Sequence, residues 1–141
     1  MKLFDVNQTV MIVVGSSVPQ EVADRPLAYR LKEAIDKKGD GKEWRKAIVV
    51  SDLAYESDAV IQGCPTISIG SIAANAVSAR LVNLLPTALA PQKRSFVQLD
   101  ITFRDHRVLL WGTDPAATVA AVDLFLSKGY LEQYLKHIWR F

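Results

Sequence analysis

Hydrophobic residues fall along this chain with two periods, and the points where one gives way to the other mark its elements. Thr9-Val-Met-Ile-Val-Val-Gly15 is apolar at consecutive positions, as in a strand covered on both faces, and residues 46–52 (Lys-Ala-Ile-Val-Val-Ser-Asp) repeat that pattern. Between them Leu27, Leu31 and Ile35 recur every four residues, with Ala34 and Lys38 continuing the face. Asp24 and Pro26 suit a helix start and Gly39 its end, so the spacing predicts a helix over 26–38, with 18–23 as an irregular first turn. Two buried strands joined by a helix predict a parallel, right-handed β-α-β unit. Residues 53–63 show no clear period: 53–57 suits a helical turn, and 59–61 suits a short strand or a loop packed on the core.

The clearest unit runs from Cys64 to Pro86. Residues 66–69 read as a strand, Gly70 permits a sharp turn, Ser71 suits a cap, and Ala74, Val77, Leu81, Leu84 and Leu85 keep helical spacing until Pro86 ends it. Residues 87–94 read as loop. The period then changes to two: Val97, Leu99, Ile101 and Phe103 point one way, and Gln98, Asp100, Thr102 and Arg104 point to solvent. Asp105-His106 suits a tight turn and 107–111 a returning strand, which together predict an antiparallel hairpin.

Asp114 as N-cap and Pro115 at the first helical position open another helix, with an apolar face of Val119, Val122, Phe125 and Leu126 and a stop at Gly129. A last amphipathic helix is predicted over about 130–140. The predicted fold is a single α/β domain spanning the chain. Its mixed, mostly parallel sheet has about five strands, with one antiparallel hairpin in the C-terminal half and helices packed on its faces.

Composition agrees with a packed domain: of 141 residues 50% are hydrophobic and 23% charged. A net charge of +2, from 17 basic and 15 acidic residues scattered along the chain, argues neither for nor against nucleic acid. The densest basic run, Lys37, Lys38, Lys42, Arg45 and Lys46, is interrupted by Asp36, Asp40 and Glu43, has no aromatic ladder and reads as solvated surface, so no nucleic-acid partner is expected. The longest apolar runs, Val10–Val14 and 108–111, fall far short of the roughly 20 residues that cross a bilayer. With no basic-then-apolar leader and a single cysteine, the expected setting is the cytoplasm, without a membrane partner.

Chemistry is suggested where three strands end alike: Gly15-Ser16-Ser17, Gly70-Ser71 and Gly112-Thr113-Asp114. In an open parallel sheet these turns share the carboxyl edge, where α/β domains bind ligands. Asp52 ends the second strand at that edge, and Asn75 lies one turn beyond Ser71. The candidate ligand-binding set is therefore Ser16, Ser17, Asp52, Gly70, Ser71, Asn75 and Thr113, and free N–H groups at such turns favour a small anion. Taken singly, each turn is explained by ordinary capping and turn chemistry.

No Gly-x-Gly-x-x-Gly or phosphate-loop pattern is present, so no nucleotide cofactor is expected. Neither histidine, His106 or His137, is close in sequence to Cys64 to activate its thiol, and buried cysteine acting as a small hydrophobe is the commoner case. The spacings assign no metal, and Asp52, Glu56 and Asp58 read as a solvated acidic loop. No catalytic residue is assigned.

The leading expectation is a small binding or assembly module. It would self-associate through the half-apolar hairpin strand and the aromatic tail of Tyr130, Tyr134, Trp139 and Phe141. The alternative is a small hydrolase or transferase using Asp52 or Cys64, with Ser16, Ser71 or Thr113 as polar partners; a third class is a purely structural subunit.

The order of residues 67–75 leading into one helix and 110–118 into another resembles the α/β modules of some archaeal surface-layer proteins. In those a strand ends in a glycine pair and a later glycine turn opens a helix. Ser71 stands here in place of the second glycine, and the resemblance implies architecture without a function.

Overall fold

A computed structural model describes residues 3–140, Glu21 by its backbone only, so Phe141 of the expected aromatic tail lies outside the described residues. Six strands, β1 (Val10–Val14), β2 (Ala47–Ser51), β3 (Thr66–Ile69), β4 (Thr87–Leu89), β5 (Ser95–Leu99) and β6 (Arg107–Gly112), form one sheet in the order β2-β1-β3-β6-β5-β4. The first four in that order are parallel, with Ile12 opposite Val49 on one side and Ile67 on the other, and β5 and β4 continue the sheet antiparallel. This is the α/β architecture the periodicity predicts. The extra strand is β4, three residues between Pro86 and Pro91, too short to show a period.

Helices cover both faces, which explains the unbroken apolar run of β1. Val10, Ile12 and Val14 enter one core with residues of α2 (Arg25–Gly39), α5 (Pro115–Ser127) and α6 (Tyr130–Trp139). Met11 and Val13 enter the other, beneath α3 (Asp52–Glu56) and α4 (Ala76–Leu81). The expected irregular turn before α2 is a separate short helix, α1 (Val18–Ala23), which meets α2 at Asp24. Among the described residues no helix is long and apolar enough to cross a membrane.

Four local expectations change. The helix after β3 starts at Ala76, because Asn75 and not Ser71 is its cap: Asn75 Oδ1 accepts the N–H of Val77 at 2.9 Å and of Ser78 at 3.2 Å. The hairpin strand stops at Leu99, where Asp100 Oδ1 accepts both the N–H and the hydroxyl of Thr102, and a loop replaces the tight turn at Asp105-His106. Ile101 is thereby turned out to solvent, while Phe103 takes a left-handed φ of 55° and stays buried. Gln98 is buried, its amide spent on Val82 O, Leu85 O and Trp111 Nε1. On α5 the buried face is Ala117, Thr118, Ala121, Val122 and Phe125, which leaves Val119 outside.

The two features behind expected self-association are satisfied within the chain. β5 is not an edge, since β4 covers it. The tail aromatics dock as α6: Tyr134 Oη donates to His106 O and Trp139 Nε1 to Gln8 O, both at 2.8 Å, and both rings are buried.

Candidate ligand-binding cleft

β2 and β3 flank β1 on opposite sides, so the order in which strands are added reverses between β1 and β3, and the carboxyl ends of those strands are where such a sheet would open a crevice. The loop 71–75 fills it. A Cβ on Gly15 would lie 2.4 Å from Ala74 O, so glycine there serves the close approach of this loop. Asn75 closes the gap from within, its Nδ2 donating to Ile69 O at 3.0 Å and Val13 O at 3.3 Å, one acceptor from each strand. Asp52 sits beside it, buried, with Oδ1 accepting Leu53 N–H and Oδ2 accepting Ala76 N–H, both at 2.9 Å. These two candidate residues are structural staples, their polar atoms engaged by backbone.

The same accounting covers four N–H groups at the turns from which an anion site was expected. Gly70 N–H donates to Leu110 O, Thr113 N–H to Arg94 O, Ala73 N–H to Ser71 Oγ and Ala117 N–H to Asp114 Oδ1. Those four donors are already used within the chain and would have to be released to hold a phosphate or carboxylate.

The open space lies one strand over, beyond the ends of β3 and β6. There a cleft of about 290 Å³ is bounded by α1, by Ser71 and by the turn from Gly112 into α5. It brings together two of the predicted residues, Ser71 and Thr113, with Gln20, Asp114 and Thr118. Gly70 lies directly beneath, whereas Ser16 and Ser17 are exposed and line no part of it, and Ser17 makes no side-chain cap to α1.

The residue that sequence reasoning missed as chemistry is Asp24. It occupies the joint of α1 and α2, where an aspartate before Arg-Pro reads as a cap, yet its backbone is helical and its side chain makes no capping bond. Only 4% of the residue is exposed. The carboxylate lies over Gly70, whose φ of +110° needs glycine and where an added Cβ would stand 2.4 Å from Asp24 Oδ2. Among the described residues no hydrogen bond or ion pair reaches the Asp24 carboxylate, and burial alone pushes its carboxyl up from 3.8 to about 6. The only hint in the sequence was a potential cap with a glycine partner 46 positions downstream, a pairing that no local pattern reveals.

The second acid in the cleft is engaged. Asp114 caps α5 and pairs with Arg94, and the Ala117 N–H, followed by the Arg94 guanidinium, holds its carboxyl below the usual range. Of the described residues lining the cleft, none carries a positive charge.

Cys64 is buried beside Ile61 and Tyr55, and burial, then the negative charges of Asp5 and Asp58, pushes its thiol up to about 11. That environment opposes the thiolate a nucleophile needs. Both histidines lie at the amino ends of the strands, lining a cleft of about 380 Å³ with Asn7, Gln8, Arg140 and the Gly63 and Pro65 that flank Cys64. Among the described residues no group of three or more metal-ligating side chains occurs. No protein-family model matches the chain, and no curated protein matches it either.

Proposed function

We propose that this protein is a small α/β binding module whose strand-end cleft takes a compact ligand through a hydrogen-bond donor placed on the Asp24 carboxylate. The observation that carries the reading is that carboxylate, buried at the cleft with no partner among the described residues. An unpaired buried acid destabilises a fold, and such groups concentrate where a ligand completes them. The described lining carries two carboxylates and no positive charge, so the ligand is a cation or a neutral donor in place of the anion expected from the turns. The hydroxyls of Ser71 and Thr113 supply further polar contacts, and Pro19, Ala23 and Pro115 give apolar walls. A reducing, cytoplasmic setting suits the one cysteine, which is a free buried thiol.

Native mass spectrometry of freshly purified protein would name a retained ligand by its mass. A thermal-shift panel of small amines, phosphates and carboxylates then tests the charge. Amines should raise the melting temperature of the wild type and not of Asp24→Asn, while the anions do nothing. Equal shifts in both proteins would reject the site.

One observation supports a second reading, acid–base catalysis. A carboxyl near 6 beside hydroxyl groups is tuned to exchange protons near neutral pH. Asp24 replaces Asp52 and Cys64 as the group an enzyme would use. Hydrolysis of a model ester that is lost in Asp24→Asn and titrates near pH 6 would select this reading over simple binding.

A further inference from the structure

We infer that the ligand of this cleft is a small primary amine with no carboxylate beside its ammonium, an assignment that rests on the cleft being the binding site. The sign of the lining carries the first half. Asp24 is the buried acid without a partner, and Asp114 is a second carboxylate in the same opening, kept ionised by the Ala117 N–H and Arg94. An α-amino acid would bring its own carboxylate in with the ammonium, next to both acids. The described lining offers no cation to pair with it, so like charges would meet where water is partly excluded. An amine without that carboxylate satisfies Asp24 and adds no repulsion.

Hydrogen-bonding capacity carries the second half. An ammonium presents three N–H donors, more than one carboxylate takes up alone. The other polar groups of the lining are neutral oxygens suited to the remainder. The Gln20 amide and the Thr113 hydroxyl have no side-chain partner among the described residues, and the Ser71 hydroxyl keeps a free lone pair after accepting the Ala73 N–H. A fully methylated nitrogen could use none of these acceptors. Such cations are held on aromatic faces, and no described residue lining the cleft is aromatic. Pro19, Ala23 and Pro115 are left to pack against the carbon body, which the volume of about 290 Å³ keeps small.

The test titrates L-alaninamide, L-alanine and tetramethylammonium calorimetrically at pH 7 into wild type and Asp24→Asn, a change that keeps the shape of the side chain. Alaninamide differs from alanine in lacking the carboxylate, and from tetramethylammonium in carrying N–H donors. It should bind wild type at least about tenfold more tightly than either, and Asp24→Asn should remove that advantage. Alanine binding as tightly as alaninamide, in a manner that depends on Asp24, would leave the cleft standing and overturn the exclusion of amino acids. Tetramethylammonium matching alaninamide would overturn the requirement for N–H donors. Alaninamide binding that is the same in both proteins, or absent from both, would reject the cleft itself.

Discussion

Asp24 shows how one side chain can oppose the stability of its own fold. The folded chain keeps the Asp24 proton up to about pH 6, whereas the ordinary value is 3.8. Between those values the folded state binds more protons than the unfolded one, so this residue lowers stability as pH rises through that window and imposes a constant penalty above it. Asp24→Asn, which removes the charge and keeps the shape, should therefore raise stability at pH 7 by on the order of 2 kcal/mol and change it little at pH 4. Urea unfolding at both pH values measures this, and an unchanged or lower stability at pH 7 would mean the carboxylate has a partner. Gly70 carries the complementary constraint. Gly70→Ala meets both the unfavourable φ and the Asp24 oxygen, and should cost about 2 kcal/mol or more by the same measurement.

Among the elements, α4 depends most on side chains outside its own length. Six residues are too few for a helix to persist alone, and its start is secured by Asn75 and Asp52. Asn75→Ala removes a cap and leaves Val13 O and Ile69 O without their donor at the junction of β1 and β3, and should cost about 2–3 kcal/mol in thermal or urea unfolding. Asp52→Asn keeps one acceptor and should cost less. A loss of ligand binding in Asp52→Asn without unfolding would revive it as a site residue. β2 shows a related device at the sheet edge. Asp36 Oδ1 accepts Ala47 N–H at 2.8 Å and Lys32 Nζ donates to Ala47 O at 2.7 Å, so the first rung of the open edge is already capped by charged groups from α2.

For the whole molecule, that capped edge, the three-residue β4 at the other edge and the docked α6 all act against pairing between copies. Light scattering of the isolated protein should give the mass of one chain, and a dimer mass at low micromolar concentration would overturn that expectation. The elements themselves were legible because burial on two faces writes itself as an unbroken apolar run, as at Val10–Val14, and burial on one helix face as a four-residue spacing, as at Leu27, Leu31 and Ile35. The reading failed where a polar side chain displaced the pattern: Asp100 ended β5 early, and Asn75 took the cap from Ser71. The α/β alternation, the parallel core strands and the shared edge of three glycine turns are written into the chain's local period and turn chemistry. Which of those turns stay open follows only from how distant segments pack. Whether an acid is a cap, a staple or an unpaired charge depends on partners 24 to 46 residues away, as Asp52 at Ala76 and Asp24 over Gly70 demonstrate.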